Sequence, residues 1–292
     1  MKTLLLNIVI GLFAISAFGQ NEGEKLLKYS YKKQDVDSLN MFFINWKNEY
    51  QPITGEYFEE LSDTLKDVYE IFLDFYTPLD LKRIGGSEWG DSLYFGVDYL
   101  VVQNRIDFSI VETLDKKEII LNYLKRNLTD STKYEEYKRT FMKDTSDYSL
   151  GFTYYNSIDY LHEDSIMDFR PNLDFETVNV LYYKSKYTKI LVGFLKNKYH
   201  KLGFGGIMNP ARAKGKSKTR LDWVDAKVKI FQGHWGGYWQ MTTYPRVNQI
   251  LFDKKRETAL IHFRMVYEGG EALYKKIDNK WTLIDSKLTW IE

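Results

Sequence analysis

The chain has 292 residues, which is long enough to bury one large hydrophobic core or two smaller ones. Its hydrophobic fraction of 44% and charged fraction of 28% are typical of a globular protein and exclude an intrinsically disordered one. A formal net charge of +1 excludes global attraction to nucleic acid, and the absence of cysteine excludes disulfides, thiol nucleophiles and Cys-ligated zinc.

The first nineteen residues have the pattern of a signal peptide. Lys2 supplies the positive charge, residues 4–18 form the apolar segment, and Ala17-Phe18-Gly19 places small residues before a cleavage site. The sequence therefore predicts export, with Gln20 as the mature N-terminus and a location in the periplasm or outside the cell. The apolar segment is short for a membrane span and no second one follows, so no span is expected in the mature chain.

Residues 20–200 are predicted to form an α+β N-terminal region that is rich in helix. Gln20–Tyr31 is polar and is expected to be a loose lead-in. Apolar residues recur at three- and four-residue steps in Ser38–Tyr50 and Asp63–Tyr76, which predicts two helices. Strands are predicted within Leu93–Val111.

The middle of the chain is more ambiguous. Lys117–Arg126 has a helical pattern and Asp130–Asp147 is highly charged, so residues 115–165 are expected to be a helix-rich insert or a region between two lobes. Val178–Tyr183 is predicted to be a strand, and Ser185 is expected to cap a helix that runs to Tyr199.

Residues 201–292 are predicted to form a C-terminal sheet unit. A basic loop, Leu202–Arg220, is expected to lead into a helix over Asp222–Phe231, which packs on an antiparallel meander. Glu268-Gly269-Gly270 is interpreted as one of its hairpin turns, because glycine adopts positive φ easily. The fold class is therefore α+β, with a cystatin-like or NTF2-like plan that implies shape alone. Four strands are predicted: Val247–Phe252, Ala259–Tyr267, Glu271–Ile277 and Trp281–Trp290.

A set of short segments spans nearly the whole mature chain: Val68–Phe72, Phe75–Pro78, Asp168–Pro171, Val180–Tyr182, Gly233–Trp239, Tyr267–Ala272 and Ser286–Glu292. The set resembles a group of exported proteins of Bacteroides-type bacteria that have no assigned activity. The resemblance implies export and carries over no catalytic residue.

The best candidate site lies on one face of the predicted sheet. Strand alternation places His262 and Arg264 on the face opposite to Ile261, Phe263 and Met265, which should be core. A concave pocket with histidine, arginine, acidic groups and tryptophan would suit a polar or sugar-like ligand. The alternative is a half-exposed sheet face with cross-strand charge pairs. The predicted ligand-binding residues are His234, Trp235, Trp239, His262, Arg264, Glu268 and Glu271.

Other chemistry has little support in the sequence. No HExxH spacing is present, and His162-Glu163-Asp164 is interpreted as a solvated loop, so no metal or cofactor is predicted. No Gly-x-Ser-x-Gly motif nominates a serine nucleophile, and no catalytic residue is assigned.

Three functions therefore stay open. The leading hypothesis is a non-enzymatic binding or interaction protein of the cell envelope, whose partner would be a glycan or an envelope protein. The second is a hydrolase or lyase acting on a glycan or envelope substrate through the same residues, which requires a histidine and a carboxylate within hydrogen-bond reach. The third is a structural envelope protein, which predicts that the same side chains lie on a flat or convex surface.

Overall fold

The computed structural model describes residues 22–86, 93–143, 157–195, 214–229 and 242–291, except for the side chains of 140–143. The predicted signal peptide, residues 1–19, lies outside them. The class is α+β, as predicted, with helices concentrated in the N-terminal half and an antiparallel sheet in the C-terminal region. The first helices cover residues 22–33 (α1), Val36–Glu49 (α2), Glu56–Glu59 (α3) and Asp63–Phe75 (α4), and a 3-10 turn follows at Leu81–Ile84.

The two long N-terminal helices were predicted correctly because both have apolar stripes and caps. The Asp35 side chain accepts hydrogen bonds at the start of α2, and Ser62 does the same for α4. The expected loose lead-in over Gln20–Tyr31 is wrong. Residues 22–33 are helical, and Leu27 is completely buried against α2 and later helices, which explains why this polar segment is ordered.

The middle of the chain contains the predicted strands and helices, together with one strand, Tyr160–Ile166, that the sequence did not indicate. Two short strands, Tyr99–Val102 (β1) and Asn179–Tyr182 (β4), form a parallel pair. The segment interpreted as a solvated loop, His162-Glu163-Asp164, instead belongs to an exposed edge strand. The remaining elements of this part are Ile106–Val111 (β2), Lys116–Asn127 (α5), Ser131–Lys143 (α6), Tyr160–Ile166 (β3) and Ser185–Leu195 (α7).

The central feature is a six-stranded sheet with the order β3-β2-β5-β6-β7-β8. Its four C-terminal strands form the predicted antiparallel meander, and β5 also pairs in parallel with β2. The sheet therefore joins strands from both sides of the boundary proposed near residue 201. The C-terminal strands are Arg246–Asp253 (β5), Thr258–Met265 (β6), Glu268–Ile277 (β7) and Lys280–Ile291 (β8).

The hairpin turn predicted at Glu268-Gly269-Gly270 is misplaced. Met265 pairs with Glu268, so the two loop residues are Val266 and Tyr267, and Val266 itself has φ +58°. Both glycines lie inside β7, where their role is to make space. A Cβ on Gly269 would lie 1.9 Å from the indole of Trp290, and one on Gly270 would lie 2.3 Å from the ring of Phe263.

The helix predicted over Asp222–Phe231 is also displaced. It covers Lys216–Asp225 (α8), so the end of the predicted basic loop is helical, and an i,i+4 ion pair between Lys218 and Asp222 supports it. Val228 then makes an isolated bridge to Tyr99. The buried side chains of α8 pack with α2 and α7, whereas the helix on the apolar face of the sheet is α4.

Two hydrophobic cores meet at the β1–β4 pair. One core lies between α4 and the apolar face of the sheet, and the other is formed by α1, α2, α7 and α8. Val102 and Tyr182 face the first core, while Val101 and Leu181 face the second. No helix within the described residues is long and apolar enough to cross a membrane.

Candidate functional site

An open groove of about 760 Å³ lies on the polar face of the six-stranded sheet. This volume falls within the range of small-molecule sites, roughly 300–1,000 Å³. The groove is opposite to the face covered by α4, and strand alternation decides which side chains point into it. Its floor and wall include Asp107 and Ser109 from β2, Gln249 from β5, His262 from β6 and Trp290 from β8.

The floor is a row of polar residues in register. Asp107 pairs with Gln249, Gln249 with His262, and His262 with Glu271, so their side chains lie side by side on neighbouring strands. Gln249 also donates its amide to the hydroxyl of Ser109 over 2.9 Å, which orients the amide. A bulge at Asn248 interrupts the register next to Gln249 and brings both amide side chains to the groove.

One side of the groove carries acidic side chains, and the neighbouring aspartate of the floor is paired with an arginine. Glu163 and Asp164 of β3 line the groove, and both belong to the cluster that the sequence placed in a loop. Arg105 also lines the groove, and its Nε lies 2.9 Å from Oδ1 of Asp107. This ion pair leaves Asp107 with further lone pairs that can accept hydrogen bonds from a ligand.

A buried glutamine holds the chain that leads into β2. Gln103 accepts a hydrogen bond from the amide of Val247 over 2.8 Å and donates to the Val247 carbonyl over 2.8 Å. It also donates to the Arg105 carbonyl over 2.7 Å. Gln103 thus pairs with β5 as an extended peptide would, which fixes the start of β2 and the position of Arg105 at the groove.

His262 lies at the inner end of the floor. Its Nε2 is 3.8 Å from Oε1 of Glu271, and Oε2 of Glu271 is 3.9 Å from Nζ of Lys116 at the start of α5. Burial lowers the pKa of His262 from 6.5, Glu271 opposes this shift, and Lys116 adds to it. His262 is therefore a neutral hydrogen-bonding group at neutral pH.

Trp290 forms the wall nearest the C-terminus. Its indole packs over Gly269, and the Cζ of Arg264 lies 5.9 Å from the centre of its ring. Arg264 donates its Nε to the Val266 carbonyl over 2.8 Å. The tryptophan is 46% exposed and lines the groove, so a ligand there can touch the ring.

The structure brings together some of the predicted site residues. His262 lines the groove, Glu271 lies beside it, and Arg264 lies next to Trp290. Glu268 does not join them. Gly269 and Glu271 lie on the groove face of β7, so Glu268, one residue before Gly269, points to the opposite face, where it is buried. The other three predicted residues, His234, Trp235 and Trp239, lie outside the described residues.

Sequence reasoning missed the residues that β2 and β5 contribute. The alternation of Asp107 and Ser109 with the buried Phe108 is visible in the sequence and could have indicated a polar face. Their position beside Gln249 depends on a parallel pairing between distant segments, which no local pattern specifies. Trp290 was placed in a strand, but its contact with Gly269 was hidden by the misplaced turn.

Among the described residues, no group of three or more histidine, cysteine, aspartate or glutamate side chains is arranged to hold a metal ion. Comparison of the chain with protein-family models, with curated proteins and with solved structures finds no match. The groove itself is therefore the basis for assigning a function.

Proposed function

We propose that this protein is an exported, non-enzymatic binding protein of the cell envelope that holds a small polar ligand in the groove of its six-stranded sheet. The observation that carries the proposal is the polar floor of Asp107, Gln249 and His262, set in register at the base of a concave surface. Convergent polar groups in a cleft of this size are typical of ligand sites.

The spacing of His262 and Glu271 favours binding over acid–base catalysis. At 3.8 Å, their nearest atoms are beyond direct hydrogen-bond reach. The lowered pKa of His262 keeps it neutral, so at neutral pH it can donate or accept a hydrogen bond without carrying charge. A concave groove also weighs against the structural hypothesis, which expects a flat or convex surface.

A second candidate is a hydrolase acting on a glycan or another envelope substrate. The observation in its favour is that three carboxylates, Asp107, Glu163 and Asp164, line one groove. Most glycosidases work with a pair of carboxylates across the scissile bond. Release of a new reducing end from any oligosaccharide would move the assignment from binding to catalysis.

The export part of the proposal rests on the first nineteen residues. Their single charge, apolar segment and small residues before the cleavage position match a signal peptide. A cysteine-free chain can be stable outside the cytoplasm if its core suffices, and two extensive cores are present.

The groove is tested with a ligand screen and one matched pair of variants. Neutral oligosaccharides, tripeptides and small organic anions are screened by thermal shift, because a ligand that binds the folded state raises Tm. For a positive compound, Gln249→Ala should weaken Kd by about tenfold, since it removes a floor amide. The control is Gln51→Ala, because Gln51 lies outside the groove and its side-chain amide donates to the Lys47 carbonyl of α2. An unchanged Kd in Gln249→Ala would rule out this groove as the site.

A further inference from the structure

The contact between Trp290 and Gly269 determines how the indole is presented to the groove. A Cβ at position 269 would lie 1.9 Å from Cε2 and 2.1 Å from Cζ2 and Nε1 of the indole. No side chain fits in that space, so glycine is required for the ring to lie against the strand. Gly269 is directly opposite Trp290 in the β7–β8 register, which fixes the ring between neighbouring strands.

The ring is fixed in place but remains accessible. Trp290 is 46% exposed, although it packs on the backbone of Gly269 and lies near the guanidinium of Arg264. A tryptophan ring offers a broad, electron-rich apolar surface that attracts C–H groups and cations. Ordering such a surface before the ligand arrives reduces the entropy lost on binding.

The floor next to this ring selects hydroxyl groups. The carboxylate of Asp107 accepts hydrogen bonds, the amides of Gln249 and Asn248 both donate and accept, and neutral His262 can do either. Asp107 is already paired with Arg105 at 2.9 Å, so this floor carboxylate does not require a charged ligand to balance it. Glu163 and Asp164, on the β3 side of the groove, are further carboxylates that accept hydrogen bonds from hydroxyl groups. The ligand that suits the site has a flat C–H face and an edge of neutral hydroxyls.

A saccharide ring has these two properties together. We infer that the groove binds a neutral glycan, with one sugar ring stacked on Trp290 and its hydroxyls bonded to the floor at Asp107 and Gln249. Gly269 is the positioning residue that keeps the indole in place. This inference rests on the proposed binding function and specifies the ligand class for the same groove.

Isothermal titration and tryptophan fluorescence test the stacking directly. The probes are trisaccharides of glucose, xylose, mannose and N-acetylglucosamine, and the comparison probes are lysine- and glutamate-containing tripeptides. At least one trisaccharide should bind with Kd on the order of 1 mM or below. Trp290→Ala should weaken this binding about tenfold or more, and Trp290→Phe should weaken it less because a smaller aromatic ring remains.

Gly269→Ala provides an independent variant. The added Cβ must displace the indole, so saccharide binding should fall about as far as in Trp290→Ala, a tenfold loss or more. Ile291→Ala is the matched control, because Ile291 is the next residue on β8, is 65% exposed and does not line the groove. Circular dichroism and Tm identify any variant that fails to fold. If one does, the saccharide affinities of Trp290→Phe and wild type are compared instead, and they still test whether the sugar stacks on the ring.

The outcomes separate this inference from the proposed function. If a trisaccharide binds and depends on Gln249 but not on Trp290, the stacking is refuted and the binding function stands. If only tripeptides bind through Gln249, the ligand class is wrong and the binding function again stands. If no probe binds at about 10 mM, far above typical ligand concentrations, both fail.

Discussion

A buried aspartate joins α4 to the sheet and offers a sharp test of the packing. Asp67 is 5% exposed, and its Oδ1 accepts hydrogen bonds from Nζ of Lys276 and Nε1 of Trp281, both over 2.8 Å. Its Oδ2 accepts one from Nη1 of Arg256 over 3.0 Å. These donors come from β7, β8 and the turn before β6, so one carboxylate fixes the helix against three parts of the sheet.

The free energy of unfolding that is lost with this carboxylate depends on how far Asp67 and its charged partners are buried. Breaking a buried ion pair by deleting one partner costs about 3–5 kcal/mol, because the other charge is left without compensation. Here the side chains of Lys276 and Arg256 are 27% and 28% exposed, so water partly replaces the lost carboxylate. We therefore expect Asp67→Ala to lower the free energy of unfolding by about 3 kcal/mol, toward the lower end of that range.

Urea denaturation of the two variants Asp67→Ala and Asp63→Ala measures the difference. Asp63 is on the same helix and lies 4.0 Å from the same arginine, but its side chain is 87% exposed. Its replacement should cost less than about 1 kcal/mol, as is usual for exposed pairs and helix-terminal acids. Equal losses for the two variants would refute the argument that burial, and not proximity to Arg256, makes Asp67 important.

Two further predictions concern pH and export. Because burial lowers the pKa of His262 in the folded state, its contribution to stability is complete above pH 6.5 and is lost as the pH falls below 6.5, where the unfolded chain takes up the proton. Urea denaturation from pH 7.5 to 5 should therefore show that the free energy of unfolding depends less on pH in His262→Gln than in wild type. The control is His162→Gln, because the side chain of His162 is 57% exposed. Parallel curves for wild type and His262→Gln would contradict this prediction. If the first nineteen residues are a signal peptide, the full chain expressed in a Gram-negative host should appear in the periplasmic fraction with Gln20 at its N-terminus, and the same chain without residues 1–19 should stay in the cytoplasm. An uncleaved full chain in the cytoplasm would be the contrary result.

The sequence predicted burial correctly where the alternation of side chains along one strand determines which residues face the core. The alternation that assigned Ile261, Phe263 and Met265 to the core is fully reflected in their burial, because side chains of a strand point to opposite faces in turn. A turn was also expected between the predicted strands Glu271–Ile277 and Trp281–Trp290. It is one residue shorter than that interval, because Ile277 pairs with Lys280, and its two residues, Asp278 and Asn279, have the positive φ that a tight hairpin requires.

Prediction failed where one residue type has two physical roles. Gly269 and Gly270 have the composition of a turn, yet they lie in a strand because two aromatic rings need the space that a Cβ would occupy. The actual turn uses Val266 at φ +58°, which local propensity would not choose. Only the tertiary contacts with Trp290 and Phe263 distinguish the two roles.

The parallel pairing of β2 with β5 has a consequence for how the protein is made. Gln103 contacts Val247 across a sequence separation of 144 residues. The chain must lose the entropy of closing a loop of that length before the β2–β5 hydrogen bonds can stabilise the sheet. At about 5–20 residues per second, a ribosome needs roughly 7–30 s to synthesise this interval. During that time β2 has no partner strand on its β5 side, so the nascent chain has an incomplete sheet. The groove can form only after the last quarter of the protein has emerged from the ribosome.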